Sequence, residues 1–338
     1  MRVGVIGCGA VAHYCHVPAL LRIRGVTIAA VADPDEACRN RAAKAIGCAA
    51  FKSAEFLLAD SDVDAVIIAT PPHTHASIGT MAARAGKSMY LEKPIATSLQ
   101  DAVNLGKAVL EERVKAVVGF NRRFHPLYKR ARSMLRRAAI GELRAVQTIF
   151  CEPVPVGGMP VWKAARSSGG GAPLDLASHH VDIARWLSDA EVSSISAQFR
   201  SDDSEHDSAS MEMTLTTGVS VQSFVSFRAG YAERIVLIGD KGTIELDRHR
   251  ASLSLQTARR WGYGARRRLL PPSASDLPWR IRRIISPAHD PSHHRALSAF
   301  AGGSDQLASL RDGEMSLRVI LAAEESARHG GPVEVIIP

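Results

Sequence analysis

The chain opens with Met1-Arg2-Val3-Gly4-Val5-Ile6-Gly7-Cys8-Gly9-Ala10-Val11-Ala12, and this stretch decides its fold. The short apolar run before Gly7 predicts a strand, and the pattern G-x-G-x-x-A predicts a tight turn into a helix. The first glycine permits the turn, the second lets a pyrophosphate approach the backbone, and the alanine allows close helix–strand packing. The predicted dinucleotide contacts are Gly7, Gly9, Ala10, Val11 and Ala12.

A second strand signal, residues 26–31, ends just before Asp33. A carboxylate at this place accepts hydrogen bonds from ribose hydroxyls and repels a 2′-phosphate. No arginine follows immediately, so NAD is favoured as the cofactor and NADP is the alternative. A turn of this kind that binds no nucleotide is the remaining interpretation.

Strand and helix signals alternate through residue 121, as a doubly wound parallel sheet requires. This Rossmann pattern predicts an NAD(P)-binding domain over residues 1–121. Its predicted helices cover about 10–22, 35–46 with Gly47 as the stop, 75–85 and 99–112, and its later strands cover 65–69, 88–91 and 116–120.

After residue 121 the pattern changes to long alternating strands joined by hairpins. Such strands predict an α/β domain over residues 122–338 with a large, open, mostly antiparallel sheet that has one exposed face. Gly218 marks a hairpin turn. The predicted strands cover 143–152, 192–200, 209–216, 219–226, 234–239 and 241–246, and the predicted helices cover about 126–139 and 312–329.

The composition excludes several classes of protein. The 338 residues contain 46% hydrophobic residues but no apolar run long enough to span a membrane, and the N-terminus has no signal-peptide h-region. The five cysteines show neither C-x-x-C pairs nor zinc-finger spacing. We therefore expect a cytoplasmic protein with reduced cysteines and no metal.

The net charge of +8 is concentrated in one segment, residues 257–283, which holds eight arginines and one acid. A solvated surface loop is the simplest interpretation. Closure over an anionic substrate or contact with an acidic membrane surface are alternatives, because guanidinium groups match phosphate and carboxylate. Nothing else in the pattern indicates nucleic-acid binding.

Gly169-Gly170-Gly171-Ala172-Pro173 opens a predicted helix on which Asp175, His179 and Asp182 are spaced to share one face. A polar stripe of this kind is usually a solvated helix face. Histidine also suits proton transfer near neutral pH, and a nearby carboxylate orients it. The apolar residues expected to pack on the other side are Leu176, Ile183, Ala184 and Leu187.

Lys93 directly follows the apolar strand that ends at Leu91 and Glu92. Doubly wound sheets bind ligands at the carboxyl ends of their strands, where an ammonium group stabilises a developing oxyanion. An ordinary loop lysine is the alternative interpretation.

Taken together, the chain resembles the glucose–fructose oxidoreductase/inositol dehydrogenase/rhizopine catabolism (Gfo/Idh/MocA) family. The motifs that carry the resemblance are Gly7 to Ala12, Asp33, Thr70-Pro71-Pro72-x-x-His75, Ala85-Gly86-Lys87 leading to Glu92-Lys93-Pro94, Gly119 to Phe124, and Gly169-Gly170-Gly171-x-x-x-Asp175-x-x-x-His179. The family pattern often has a polar residue where this chain has Pro72, whose side chain offers the cofactor no hydrogen bond.

The resemblance implies a catalytic set of Lys93, Asp175 and His179. His179 takes the hydroxyl proton, Asp175 tunes the pair and Lys93 holds the oxygen. It also implies cofactor contacts by Thr70, Pro71, Pro72, His75, Glu92, Lys93, Arg122, Trp162 and Lys163. Lys93, Arg123, Asp175, His179 and Asp182 are the implied substrate contacts.

The expected function is NAD(P)-dependent hydride transfer to or from a secondary alcohol of a sugar, cyclitol or nucleotide-sugar. A non-catalytic sugar or cofactor sensor and an NAD-dependent glycosidase are the alternatives on the same fold. The expected partners are a small-molecule substrate and further copies of the chain in a homodimer or homotetramer. An anionic substrate is one alternative.

Overall fold

The computed structural model describes residues 1–59, 62–154, 158–258, 265–271 and 290–338. The strands in these ranges are β1 Arg2–Ile6, β2 Thr27–Ala32, β3 Ala49–Phe51, β4 Ala65–Ile68, β5 Ser88–Leu91, β6 Ala116–Val118, β7 Leu143–Cys151, β8 Val192–Arg200, β9 Ser208–Leu215, β10 Ser220–Ser226, β11 Ala232–Gly239, β12 Gly242–Asp247, β13 Ser252–Ala258, β14 Ala265–Leu269, β15 Ala308–Ser309 and β16 Val333–Glu334.

The α-helices in the same ranges are α1 Val17–Leu20, α2 Glu36–Ile46, α3 Ala54–Leu58, α4 His75–Arg84, α5 Leu99–Glu111, α6 Pro126–Arg136, α7 Val161–Ala164, α8 Ser178–Ser188, α9 Ser292–Ala301 and α10 Leu310–His329. Wider π-helical turns precede α1 and α8, at Ala12–His16 and Pro173–Ala177. The predicted first helix therefore contains a π-turn and ends at Leu20, short of the predicted residue 22.

The first sheet has the strand order β15-β6-β5-β4-β1-β2-β3, in which β1 to β6 are parallel and β15 is antiparallel to β6. The central strand β4 is buried throughout, as the strands of a doubly wound sheet are. Helix α2 ends where Gly47 adopts a φ of 79°. These features confirm the predicted Rossmann architecture and the predicted stop at Gly47.

The second sheet has the order β14-β13-β12-β11-β7-β10-β9-β8-β16, and its only parallel pair within the described residues is β7 with β10. Strand β9 alternates buried and exposed residues along its length, so one face of this sheet is open. Gly218 has a φ of 80° in the turn between β9 and β10. The predicted open, mostly antiparallel sheet is confirmed.

The described residues divide into two compact units. The first comprises residues 1–121, 167–169 and 292–317, and the second comprises 122–166, 170–291 and 318–338. The predicted boundary at residue 121 coincides with the first division, but the predicted domain 122–338 is not one continuous unit. Residues 292–317 group with the first unit because their strand β15 adds to the edge of the first sheet, beside β6.

None of the helices in the described ranges combines the length and the apolar character of a membrane span. Most of the arginine-rich segment lies outside the described residues, including Arg259, Arg260, Arg280, Arg282 and Arg283. Within it, Arg267 on β14 contacts Glu245 of the same unit at 2.9 Å.

Candidate functional site

The glycine turn joins β1 to the π-helical turn at Ala12–His16. Gly7 has a φ of 93°, and a Cβ there would lie 2.5 Å from the carbonyl oxygen of Ala69. At Gly9, by contrast, a Cβ would meet no atom of the described residues within 4 Å. The backbone at Gly7 is thus packed against the chain, whereas Gly9 borders open space that suits a pyrophosphate at a helix N-terminus.

Asp33 lies just after β2 and is held against the glycine turn. One carboxylate oxygen accepts the backbone N–H of Cys8 at 2.7 Å and the other accepts that of Asp35 at 2.8 Å. Burial, with a further contribution from the charge of Asp33, raises the pKa of the Cys8 thiol to about 12. Cys8 therefore stays a neutral thiol, and the carboxylate of Asp33 is held in place by two backbone N–H groups, with Arg39 donating to the Asp33 carbonyl at 2.8 Å.

Substitutions at the two glycines separate folding from cofactor binding. Gly7→Ala is expected to destabilise the protein by several kcal/mol, because its Cβ meets backbone atoms and its φ is unfavourable for alanine. Gly9→Ala leaves the melting temperature close to wild type and weakens NADH binding at least about tenfold, since the new methyl group fills the space beside the pyrophosphate. Thermal unfolding and NADH fluorescence titration of both variants check this; a Gly9→Ala protein with wild-type NADH affinity would contradict it.

His75 connects the loop after β4 to the loop after β5. Its Nδ1 lies 2.7 Å from the carbonyl oxygen of Pro94 and its Nε2 lies 2.8 Å from that of Thr70. The ring is buried, and burial lowers the pKa of His75. Both ring nitrogens contact backbone carbonyl oxygens, so the structure gives this predicted cofactor ligand a role in holding Thr70 and Pro94 in place.

The other residues predicted in these two loops lie close by in the first unit. Pro72 begins a 3-10 turn, Pro72–Thr74, in which the hydroxyl of Thr74 donates to the Pro71 carbonyl at 2.8 Å and lies 2.7 Å from the hydroxyl of Thr70. Lys93 follows β5 and Glu92, and its peptide bond to Pro94 is cis. The loops that carry these predicted contacts are therefore cross-braced by side-chain hydrogen bonds.

In the second unit, Asp175, His179 and Asp182 are buried, with exposed fractions of 6%, 9% and 0%. This burial excludes the interpretation of a solvated helix face. The apolar residues predicted on the other side, Leu176, Ile183, Ala184 and Leu187, are buried as well. The sequence places ionisable groups inside the protein here, which is characteristic of functional sites.

Lys163 is the partner of Asp175. Its Nζ lies 2.8 Å from Asp175 Oδ2, and the charge of Asp175 is the main cause that raises the pKa of Lys163. The ammonium group also lies 5.6 Å from the ring centroid of Trp162 and 5.5 Å from that of Phe227. The Trp162–Lys163 pair, predicted as a cofactor contact, is thus positioned beside one of the predicted catalytic carboxylates.

The two arginines predicted as ligand contacts are each held by a buried carboxylate of the second unit. Arg123 forms a two-pronged ion pair with Asp182, with Nε 2.9 Å from Oδ2. Arg122 donates through Nε to Glu233 at 2.9 Å and stacks 4.2 Å above the ring of Phe150. Their positions are therefore set by charge pairing inside this unit.

Glu233 is a residue that the sequence analysis missed. It accepts hydrogen bonds from Arg122 and from the hydroxyl of Tyr128 through Oε1, and from Arg248 through Oε2. A signal for it exists in the sequence, because Glu233 is in period-two register with the buried Ile235 and Leu237 of β11. An acid on the core face of a strand indicates a buried charge network.

The comparisons with known proteins agree with this architecture. Residues 1–120 match the profile GFO_IDH_MocA, described as "Oxidoreductase family, NAD-binding Rossmann fold", and residues 128–245 match GFO_IDH_MocA_C3, described as "GFO/IDH/MocA C-terminal domain". An inositol 2-dehydrogenase of Rhizobium meliloti (strain 1021) is 32% identical over 272 residues, covering 78% of this chain and 80% of that protein.

Two further similar proteins are a scyllo-inositol 2-dehydrogenase (NAD(+)) of Bacillus subtilis (strain 168) and a solved structure from Sinorhizobium meliloti 1021. The first is 31% identical over 201 residues, 59% of this chain and 57% of that protein. The second, a putative myo-inositol dehydrogenase, has a TM-score of 0.79 at 28% identity and covers 99% of this chain and 100% of that chain. On the strength of both domain matches and this extended similarity, the chain belongs to the Gfo/Idh/MocA oxidoreductase family, whose N-terminal domain is an NAD-binding Rossmann fold.

Proposed function

We propose that the protein is an NAD-dependent dehydrogenase that moves a hydride between the nicotinamide and a secondary alcohol carbon of a cyclitol or related sugar. The observation that carries the proposal is the burial of Asp175 and His179, with Asp175 held by Lys163, in a chain whose other unit has the glycine turn and Asp33. The relatives named inositol 2-dehydrogenase support a cyclitol as the substrate class.

The proposed roles follow from the chemistry of each side chain. The bound cofactor supplies the hydride acceptor. His179 takes the proton of the reacting hydroxyl, for which a neutral imidazole is suited. Lys93 donates a hydrogen bond to the same oxygen and stabilises its developing negative charge. Asp175 orients the polar groups around His179, and Lys163 keeps this carboxylate in place.

Asp33 supplies the test of the cofactor. Fluorescence titration is expected to show NADH binding at least about tenfold tighter than NADPH, because the carboxylate binds the ribose hydroxyls and repels a 2′-phosphate. Asp33→Asn removes the charge and keeps an oxygen acceptor for the Cys8 N–H, but its NH2 group cannot accept the Asp35 N–H. The preference for NADH should therefore shrink, and the free energy of unfolding should fall by about 1 kcal/mol for the lost hydrogen bond. A wild-type preference for NADPH would overturn this assignment, and binding of neither would favour the sensor interpretation.

The substrate class is tested by following NADH formation at alkaline pH with inositol isomers, aldoses and nucleotide-sugars. We expect turnover with at least one cyclitol. Release of a free sugar from a glycoside without net NADH would instead favour the glycosidase alternative, because that reaction returns the cofactor to its starting state.

We propose that the protein works as a homo-oligomer through the open face of the second sheet. This face carries Phe224, which is 38% exposed and lines a cavity of about 560 Å³ together with other apolar residues, such as Ile149, and with polar ones, such as Gln147 and Gln222. Phe224→Lys is expected to lower the mass measured by light scattering, whereas Phe56→Lys, at an exposed position of the first unit, leaves it unchanged. A monomeric wild type would contradict the proposal.

As to its location, an NAD-dependent dehydrogenase suits the cytoplasm. The five cysteines all lie in the described residues, and no disulfide joins any of them.

A further inference from the structure

Three side chains that are far apart in the sequence meet inside the first unit. His16 ends the π-helical turn after the glycine motif, Glu92 directly follows β5, and His293 lies in the first turn of α9. One ligand atom from each of the three lies within 4.8 Å of the others. The cluster is called the His16–Glu92–His293 cluster below.

The contact between His16 and Glu92 is unusual. His16 Nε2 lies 2.9 Å from Glu92 Oε1, and both side chains are buried, with His16 0% and Glu92 8% exposed. Yet neither atom makes a hydrogen bond of acceptable angle with any described residue. A buried nitrogen and a buried carboxylate oxygen left without hydrogen bonds cost stability. His16 Nε2 and Glu92 Oε1 thus lie side by side without pointing at each other. Two ligand atoms that bind the same ion are arranged in this way.

The donor set indicates which ion fits. Two imidazoles and one carboxylate are a zinc donor set, whereas Mg²⁺ and Ca²⁺ prefer oxygen ligands. Metal–ligand bonds of about 2.0–2.1 Å in a tetrahedron place the donor atoms about 3.3 Å apart. To bind an ion, the 2.9 Å distance between His16 Nε2 and Glu92 Oε1 would lengthen slightly, and the longer distances between donor atoms would shorten. Side-chain rotations accomplish both changes. Three protein ligands leave a fourth position for water.

Neighbouring groups hold the rings in place. The side-chain amide of Asn121 lies 3.0 Å from His293 Nε2 and 2.7 Å from Ser292 Oγ. Zinc binding by His293 requires the amide oxygen to face the ring and accept an N–H from it, because an amide NH2 would compete for a ring lone pair. The ring of Tyr90 packs edge-on to His16, with centroids 5.9 Å apart. Groups that orient a metal-binding histidine from outside typically change metal affinity 10–100-fold when they are removed.

We propose that His16, Glu92 and His293 form a structural site for one zinc ion, which links the helix after the glycine turn, the strand end before Lys93 and helix α9. The ion takes no part in hydride transfer. Its role is to hold together three segments of the first unit. Because Glu92 is also one of the predicted cofactor contacts, Zn²⁺ binding and NADH binding are measured separately.

The test uses the full chain, freed of metal with a chelator and then dialysed. Titration calorimetry is expected to show one Zn²⁺ bound per chain, and Co²⁺ is expected to give the visible absorption of a four-coordinate site with nitrogen and oxygen ligands. His293→Gln should lower Zn²⁺ affinity about 100-fold or more, because loss of a ligand costs at least as much as loss of a supporting group. The matched control is His294→Gln, next in the chain and equally half-buried, which should bind Zn²⁺ as the wild type does.

Equal Zn²⁺ affinity in His293→Gln and wild type, or no Zn²⁺ bound by a folded wild type, would overturn the site. NADH titration of the same samples keeps the two proposals apart. If the protein binds Zn²⁺ through His293 and does not bind NADH, the metal site stands and the dehydrogenase assignment fails. If it binds NADH and does not bind Zn²⁺, the dehydrogenase assignment stands and the metal site fails.

Discussion

Replacing His179 with alanine is expected to lower kcat by about 10²–10⁴-fold, the usual contribution of a positioned general base. NADH affinity should stay within a few-fold of wild type, since His179 belongs to the second unit and the glycine turn belongs to the first. The backbone around His179 is secured by buried neighbours on helix α8, so the shortened side chain should not unfold the helix. Steady-state kinetics measures kcat of His179→Ala and wild type, and NADH titration of both proteins is the binding control.

Added imidazole should restore part of the activity of His179→Ala, because a small base can occupy the vacated space. Lys93→Met keeps the length of the side chain and removes its charge, and we expect a comparable fall in kcat from the loss of the oxyanion partner. Full turnover in either variant would contradict the assigned roles. A loss of NADH binding together with turnover would indicate that the substituted side chain serves the cofactor.

The second large effect concerns stability. Glu233→Gln is expected to reduce the free energy of unfolding by about 3–5 kcal/mol, because it removes one member of a buried charge network and leaves the others uncompensated. Glu233 is 1% exposed, and its carboxylate accepts from Arg122 at 2.9 Å and from Arg248 at 2.5 Å. An amide occupies the same volume but offers one acceptor and no charge. Denaturant unfolding at neutral pH compares it with Glu111→Gln, an exposed control expected to change stability by less than about 0.5 kcal/mol.

The same residue predicts how stability depends on pH. Burial alone would raise the pKa of Glu233, but Arg122 and Arg248 outweigh it and lower the pKa from 4.5 to about 2. A carboxyl group with a depressed folded-state pKa contributes stability that is fully present above pH 4.5 and is lost as the pH falls towards 2. Melting temperatures between these pH values should therefore converge for wild type and Glu233→Gln. Parallel melting curves with a constant difference would show that Glu233 does not carry this dependence.

His180 adds to the loss of stability in acid, beginning at a higher pH than Glu233 does. Burial lowers the pKa of its imidazole to about 3, so the folded state holds it neutral while the unfolded chain takes up a proton below the ordinary pKa of 6.5. Stability from this group is therefore lost as the pH falls from 6.5 towards 3. The ring stacks on Phe150 at 5.3 Å, which suits a neutral group.

Local sequence signals were sufficient for most of the fold. The run before Gly7 and the turn through Ala12 set the first strand and its helix, because a left-handed backbone at Gly7 and a small residue at Ala12 are local requirements. The hairpin at Gly218 and the helix stop at Gly47 follow from the same property, a positive φ that glycine adopts readily. Period-two alternation likewise predicted six strands of the second sheet within one or two residues, whereas β13, β14 and β16 were not predicted.

Other features depended on contacts that no local pattern encodes. The polar stripe Asp175–His179–Asp182 permitted either a solvated face or a site, and only burial distinguishes them. The return of residues 292–317 to the first unit is decided by a short strand, β15, whose two residues have no signal of their own. The arginine-rich segment lies largely outside the described residues, so its predicted interpretations stay as they were.

The sequence by itself determined the Rossmann turn, the favoured cofactor and the two-sheet architecture, because each depends on backbone geometry or spacing within a few residues. Only the tertiary structure decided which charges are buried and which side chains meet. Lys163 reaches Asp175, Arg122 reaches Glu233, and His16, Glu92 and His293 converge, each across long stretches of chain. Such pairings are set by how strands and helices pack, and packing brings together residues whose separation in the sequence carries no periodic signal.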